Sequence, residues 1–310
     1  MAGGQERVLK RRIKSVQSTK KITRAMELIA SSRIVRAMGR IASARPYYER
    51  LSEIVREIAA SSGLPKSRYL GEADQGGVLG LVVMVADRGL CGGYNSNALR
   101  MAERIIRQRE SAGLVTKVVV VGRKGESYLR YRNIPVVGSL LHISDKPSYE
   151  DARKISDLVL VPFEEGSISF IEVISTRFLS AGLQKLELTK LAPIDSATFS
   201  TDKPAGYDFE FEPSPELIID PLLRQFVQAR IFALLLEASA SEYAARQRAM
   251  AAATENAEEL IKNLSRIMNR ARQDAITTEI MEIVGGAEAL SDALDWESDV
   301  GVTQFRENRN

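Results

Sequence analysis

The glycine-rich turn at residues 87–95 is the segment whose residue types come nearest to ligand chemistry. It reads Asp-Arg-Gly-Leu-Cys-Gly-Gly-Tyr-Asn and follows a short apolar run that is typical of a buried strand. Such a turn binds dinucleotide phosphates when its spacing is G-x-G-x-x-G. Here the spacing is G-x-x-G-G, no acid follows where a ribose would be held, and no P-loop sequence occurs. The turn therefore favours a structural role, packed against another element, over cofactor binding.

Cysteine and histidine chemistry is limited by the composition, because the chain has one cysteine, Cys91, and one histidine, His142. Nothing in the sequence places them within reach of each other, as a Cys–His catalytic pair requires. Zinc sites need more thiolate and imidazole ligands, and no carboxylate pair stands in an apolar setting that would raise a pKa. We therefore predict no catalytic residue, no cofactor and no metal site.

Positive charge is concentrated at the start of the chain. Residues 1–50 contain thirteen Lys or Arg and three acids, although the net charge of all 310 residues is only +3. The simplest interpretation is a solvated helix face, but such a face also suits nucleic acid, an anionic membrane or an acidic protein. Nucleic-acid binding by this basic helix is the main alternative function, although aromatic residues are not interleaved with the basic ones.

Two long helices are predicted at the ends of the chain. Residues 222–284 contain no glycine or proline, which allows a helix of about 95 Å at about 1.5 Å per residue. Its apolar stripe consists of Ala257, Leu260, Leu264, Ile267 and Ala271. A lone helix cannot bury such a stripe, so it needs a partner.

Residues 5–58 supply that partner, because their apolar positions mostly alternate at spacings of four and three. These positions are Leu9, Ile13, Val16, Ile22, Met26, Ile29, Tyr48, Leu51, Val55 and Ile58. We predict that the two terminal helices form a long antiparallel coiled coil whose many alanines and serines let the backbones approach closely. Pro46 should kink or weaken the first helix, and Gly285 and Gly286 should end the second.

A small α/β domain is predicted between the helices, at residues 76–195. An apolar strand, the glycine-rich turn, a helix and a second strand form a βαβ unit, and a later hairpin adds two antiparallel strands. The predicted strands are 78–86, 117–121, 168–177 and 183–191, and the predicted helices are 96–111, 124–132 and 149–161. The fold class is thus a central Rossmann-like α/β domain plus a long antiparallel coiled coil.

Three stretches, in order, resemble one family, the gamma subunits of F-type ATP synthases. The first is IKSVQSTKKITRAMELIA at residues 13–30, and the second is the 87–95 turn, with Ala86 where the family has serine. The third and most specific runs from AMAAATENA at 249–257 through NRARQDAITTEIMEIVGGA at 269–287. The resemblance spans nearly the whole chain as far as Leu290.

The resemblance implies a mechanical function without catalysis by this chain. In that family the paired terminal helices are the central rotating shaft that couples a proton- or sodium-driven rotor ring to ATP synthesis or hydrolysis at an alpha/beta hexamer. The implied partners are the alpha and beta subunits, the epsilon subunit and the membrane c-ring. The implied location is peripheral to the energy-transducing membrane, on the cytoplasmic side of a bacterial cell membrane, with membrane contact only through partners and no nucleic acid.

The resemblance also assigns contact residues by motif position. Residues expected to face the beta subunits are Lys20, Lys21, Arg24, Met26, Arg272, Gln273 and Thr277. Residues expected at the shaft tip, inside an apolar sleeve of the hexamer, are Ile280, Ile283 and Val284. Residues expected near epsilon and the rotor ring are Phe209, Phe211 and Glu212.

The expected domain organisation has four parts. Residues 1–60 form one shaft helix and 215–290 its partner, with the α/β domain at 76–195 between them. Residues 291–310 continue past the usual end of the family as an acidic tail, for which this composition is compatible with disorder. Two prolines near the start of the second helix, Pro215 and Pro221, each follow an N-cap residue.

Overall fold

The computed structural model describes residues 2–60, 67–194, 212 and 214–307. The elements are α1 (Ala2–Ala60), β1 (Leu79–Met84), α2 (Tyr94–Ser111), β2 (Thr116–Val121), α3 (Arg123–Tyr131), β3 (Val136–Leu140), α4 (Tyr149–Glu164), β4 (Phe170–Phe178), β5 (Gln184–Ala192) and α5 (Pro215–Glu307). The chain divides into two compact units. Unit 1 combines Met1–Arg24 with Ala252–Asn310, and unit 2 is Ala25–Ala251.

The sheet of unit 2 has five strands in the order β3-β2-β1-β4-β5. Strands β3, β2, β1 and β4 are parallel, and β5 returns antiparallel to β4 through the predicted hairpin. The central strand β1 is buried along its whole length, as expected for a parallel strand that is covered on both faces.

Two hydrophobic layers cover the sheet. Alternate residues of β1, such as Leu81 and Val83, pack with α2 and α3, whereas Val82 and Met84 pack with α4, α5 and the end of α1. Helix α4 begins with a capping box in which the Ser148 side chain accepts from the Asp151 N–H, a motif that fixes where a helix starts. The sheet thus forms the middle of three layers.

Helices α1 and α5 run antiparallel in both units. In unit 1, Thr23 contacts Thr254 and Lys20 contacts Glu258. In unit 2, Arg33 contacts Tyr243, and further along α1 the Tyr48 ring stacks on Phe226 at 6.0 Å. Partner numbers fall on α5 as they rise on α1, which confirms the predicted fold class. Among the described helices, none is long and apolar enough to cross a membrane.

Two details differ from the sequence predictions, and a third is not tested. Strand β3 was not predicted, because Val136–Leu140 contains a glycine and a serine, which lower its intrinsic preference for a strand. Backbone pairing with β2 stabilises the strand despite this low preference. Helix α1 continues through Pro46, and the kink or weakening expected there stays a prediction. Helix α5 already includes Pro221, and it passes through Gly285 and Gly286 to Glu307, so the predicted ending at the glycines is wrong. The acidic tail is therefore helical as far as Glu307.

Candidate partner-binding surfaces

The contact line between α1 and α5 in unit 1, which we call the seam, follows a heptad spacing. On α1 the buried or half-buried positions of unit 1 are Glu6, Leu9, Ile13, Val16, Lys20 and Thr23. On α5 the half-buried Ala253 and Ser265 flank the seam positions, which are Thr254, Ala257, Ile261, Leu264, Met268, Ala271 and Ala275. Successive positions alternate between three and four residues apart, which is the pattern of knobs-into-holes packing.

The seam is less apolar than the sequence predicted. Leu260 and Ile267, assigned to the stripe, are 40% and 54% exposed, and Ile22 is 60% exposed. Thr23 occupies the buried position instead, and its hydroxyl lies 2.8 Å from that of Thr254. In unit 2 the same register places Ala30 in the contact line and leaves Ile29 exposed. The predicted register was wrong at these positions because it was based on apolar residue types alone. The residues that actually pack there are small or polar.

The predicted basic contact residues of unit 1 have two different environments. The Lys20 ammonium lies 2.7 Å from the Glu258 carboxylate across the seam, and this hydrogen bond lowers the pKa of Glu258. Lys21 and Arg24 are exposed on α1, beside the exposed Ile22. We call Lys21, Ile22 and Arg24 the basic patch. Sequence reasoning missed Ile22 as a surface residue because its type suited the seam.

Other predicted contact residues are distributed among both units. Met26, in unit 2, is half-buried on α1, and Glu212 is exposed. Phe209 and Phe211 lie outside the described residues. Arg272, Gln273 and Thr277 are exposed on α5, and the Thr277 hydroxyl donates to the backbone carbonyl of Gln273 at 3.0 Å. The guanidinium and amide groups of the first two therefore reach solvent.

Helix α5 changes character after Ala275, the last seam residue. Every residue from Ile276 to Glu288 is exposed, and so is Leu290. Ile280, Ile283 and Val284, the predicted tip residues, are 55%, 71% and 55% exposed. Together with Ile276 they recur at helical spacing and form one apolar stripe, which we call the tip stripe. An exposed apolar stripe of this kind is typical of a surface that binds a partner.

The glycine-rich turn is used for packing. Asp87 accepts backbone hydrogen bonds from Arg123 and His142 with Oδ1 and from Ser144 with Oδ2, at 2.8–3.1 Å. Burial alone would raise the pKa of Asp87, but these backbone hydrogen bonds lower it. Asp87 thus ties together the loops at the carboxyl ends of β1, β2 and β3, where a ligand of a parallel sheet would bind.

The rest of the turn packs against α5. Cys91 and Tyr94 are buried beside Ala245, and the Tyr94 hydroxyl donates to the carbonyl of Ala238 at 3.1 Å. Burial raises the pKa of the Cys91 thiol, which opposes thiolate formation. His142 instead contacts Arg123. The turn thus packs against another element, as the sequence predicted. The described residues contain no cluster of three or more His, Cys, Asp or Glu that could hold a metal ion.

A buried ion pair lies behind the turn. The Arg246 guanidinium contacts the Glu242 carboxylate at 2.7 Å, and both side chains are almost inaccessible to solvent. Arg246 also donates to the carbonyl of Gly89 at 3.3 Å. Burial raises the pKa of Glu242. Because both charges face protein, this pair fixes α5 to the turn and offers nothing to an external ligand.

Comparison with known proteins identifies the family. The family profile described as ATP synthase matches residues 5–290. The ATP synthase gamma chain of Frankia casuarinae is 47% identical over 295 residues, covering 93% of this chain and 98% of the relative. The chain belongs to the ATP synthase gamma chain family. The gamma chain of Streptomyces coelicolor is 40% identical, with 94% of this chain and 98% of the relative covered. None of these matches supports the nucleic-acid alternative.

Solved structures agree on the fold. A chain of the Euglena gracilis mitochondrial ATP synthase OSCP/F1/c-ring structure superposes with a TM-score of 0.66 at 17% identity, covering 93% of this chain and 95% of that chain. A chain from the Tetrahymena thermophila central stalk and c-ring gives a TM-score of 0.57 at 22% identity, covering 75% of this chain and 99% of that chain. At these identities the likeness concerns the fold alone, and the fold is that of central-stalk chains.

Proposed function

We propose that this gamma chain is the central rotating shaft of a proton- or sodium-translocating ATP synthase, and that it catalyses no reaction itself. The observation that carries the proposal is the change along α5 from a partnered helix to a single helix with the exposed tip stripe. A shaft that works inside other subunits needs such surfaces, whereas an enzyme needs convergent reactive groups. The groups of the glycine-rich turn are occupied by packing within unit 2.

The coupling follows from unequal surfaces around the shaft. A rotating subunit changes the conformation of a surrounding catalytic site only if it contacts the alternative conformations with different free energies. The seam leaves a basic and partly apolar face on α1 and a mixed polar face on α5. As the shaft turns, each surrounding site would meet these faces in succession and shift between open and closed forms.

The partners in this proposal are the alpha and beta subunits, the epsilon subunit and the c-ring. The basic patch, with Lys20 and Met26, would face acidic segments of the beta subunits. Opposite charges on the two surfaces would attract each other and fix how the subunits align. Arg272, Gln273 and Thr277 would contact beta loops. The tip residues Ile280, Ile283 and Val284 would turn in an apolar sleeve, where uncharged side chains form no ion pairs to break.

The remaining assignments concern the membrane side. Phe209, Phe211 and Glu212 would lie near epsilon and the c-ring. The chain would be peripheral to the cytoplasmic face of a bacterial cell membrane and would reach the membrane only through its partners. Solved assemblies that contain a chain of this fold include a central stalk with its c-ring, which supports this arrangement.

The basic patch gives the sharpest test of coupling. Reversing Lys20 would place like charges at Lys20 and Glu258, and Arg24 also acts electrostatically on Glu258, so the preferred variant is Lys21→Glu with Arg24→Gln. We expect ATP hydrolysis to persist in membrane vesicles carrying the variant complex, while proton pumping per ATP falls several-fold, because one rim charge contact typically contributes about 1 kcal/mol. The measurement is the ratio of vesicle acidification to ATP hydrolysed.

The matched control makes the same two kinds of change at exposed cations of the α/β layer, Arg104→Gln with Lys154→Glu. We expect this control to pump normally. Unchanged pumping in the patch variant, with the complex intact on native gels, would contradict the assignment of the basic patch. Failure of the chain to co-purify with alpha and beta subunits would contradict the proposed function as a whole.

A further inference from the structure

A cationic groove in unit 2 has no role in the surfaces described above. It is formed by α1, α5 and the loop between β3 and α4, and its volume is about 420 Å³, within the range of small-molecule sites. Its lining residues are Arg33, Arg36, Arg40, Asp145, Lys146 and Tyr243. The three arginines recur along α1 at spacings of three and four, so they share one face of the helix.

Positive charge in this groove is only partly neutralised. Asp145 is the one carboxylate among the described lining residues, and its Oδ2 is shared by Arg33 at 3.2 Å and Arg88 at 3.7 Å. The Tyr243 hydroxyl completes this network by accepting from Arg33 and donating to Asp145. Arg36 and Lys146 add two cations that no described carboxylate contacts. The groove therefore carries an excess of positive charge.

Arg40 provides an independent sign that a ligand is required. Its Nη2 donates to the backbone carbonyl of Asp145 at 3.3 Å. Its Nε and Nη1 are shielded from solvent and have no hydrogen-bond partner among the described residues. Buried donors in proteins are almost always satisfied, and an orphaned charged donor is costly. Turning the Arg40 side chain toward the groove would expose both atoms, and a small acceptor bound there would then satisfy them.

We propose that this groove binds a small phosphate-type oxyanion, either free, on a nucleotide or on a lipid headgroup. A tetrahedral oxyanion offers acceptors in several directions, which suits donors that converge from Arg33, Arg36 and Arg40. A protein carboxylate offers only two oxygens and would have to carry its backbone into the groove to reach the buried Arg40 donors. The inference does not depend on the proposed shaft function, because it uses none of the basic patch.

The direct test is binding of inorganic phosphate to the full-length chain at low ionic strength. Binding is measured by isothermal titration calorimetry and by the broadening of the ³¹P NMR line. We expect saturable binding that sulfate displaces. Arg40→Gln should weaken it by at least about tenfold, and Arg40→Lys should not restore it, because an ammonium lacks the planar donors. Arg104→Gln, which removes the same charge from an exposed position on α2, should leave binding unchanged.

Lys146→Gln serves as a second variant, because this exposed loop residue can be changed without disturbing packing, and we expect a loss of several-fold. Parallel titrations with ATP and with phosphatidylglycerol vesicles identify the source, and Arg40-dependent binding to any of the three supports the site. No saturable binding to phosphate, ATP or vesicles would overturn it. Equal loss in Arg40→Gln and Arg104→Gln, or binding of an acidic peptide alone, would also overturn it.

Discussion

Helices α1 and α5 are held in two different ways in the two units. In unit 2 they pack on each other and on a covered sheet, so that α5 is buried on several sides near Val227, Ile231 and Leu235. In unit 1 they pack only along the seam, and among the described α5 residues there only Thr254, Ala257 and Leu264 are fully buried. A narrow seam leaves most of a helix surface available to partners, whereas all-round burial anchors the helix in a layer.

Matched deletions of a buried leucine test this difference most strongly. Leu160→Ala removes a side chain that is 0% exposed in the layered core of unit 2, and we expect a loss of about 3–5 kcal/mol because the surroundings cannot collapse. Leu264→Ala removes a seam side chain that is 6% exposed, and we expect about 2 kcal/mol because one side adjoins solvent. Hydrogen exchange of the full-length chain measures both local opening energies. Equal losses would remove the distinction between the two modes of packing.

Asp87→Asn tests whether unit 2 also depends on a carboxylate that accepts several backbone hydrogen bonds. Asparagine keeps the acceptor for Arg123 and His142 but presents an NH₂ group to the Ser144 N–H. We expect a loss of about 1–3 kcal/mol near neutral pH, measured by urea unfolding. The folded-state pKa of Asp87 is lowered below the usual 3.8. The stability that the ionised Asp87 carboxylate contributes is therefore complete above the usual pKa of 3.8, and it disappears as pH falls through the lowered pKa of the folded state.

The difference between wild type and Asp87→Asn should consequently shrink in acid. Asp274→Asn is the control in unit 1, because this exposed residue uses only its backbone carbonyl in a described bond, to Thr278. We expect it to change stability little at any pH. If the free energy of unfolding differed between wild type and Asp87→Asn by the same amount down to pH 3, the ionised carboxylate would not be the group that stabilises these loops.

Gly285→Ala has the smallest expected effect and concerns the part of unit 1 beyond the seam. No described atom lies within 4 Å of a Cβ added at Gly285 or Gly286, so alanine fits without displacement. We expect the helix to gain about 0.5–1 kcal/mol, because alanine has less backbone freedom to lose. Slower amide exchange around residues 280–290 would confirm this. Faster exchange would indicate that the glycines do not adopt the helical conformation of α5.

Sequence predicted the architecture better than the details of packing. Both long helices were recognised because apolar periodicity extends over many residues in each, and the βαβ unit and the hairpin because short apolar runs alternate with turn residues. The seam register failed at Ile22 and Leu260, since Thr23 and Ala30 pack better in a close contact than their hydrophobicity suggests. Strand β3 and the helix beyond Gly285 were missed because neighbouring backbone hydrogen bonds override a local glycine. The exposed tip stripe was predicted from family resemblance, whereas the cationic groove needs residues that only the fold brings together.

The heptad spacing of the seam gives unit 1 a mechanical handedness. A straight α-helix falls behind a seven-residue repeat by about 20° per heptad, so two helices that keep the repeat wind around each other as a left-handed supercoil. From Thr254 to Ala275 the seam covers three heptads, which corresponds to about 60° of winding. Twisting that tightens this supercoil presses the seam residues together, and twisting in the opposite sense separates them. We therefore expect the torsional stiffness of this helix pair to differ between the two directions of applied torque.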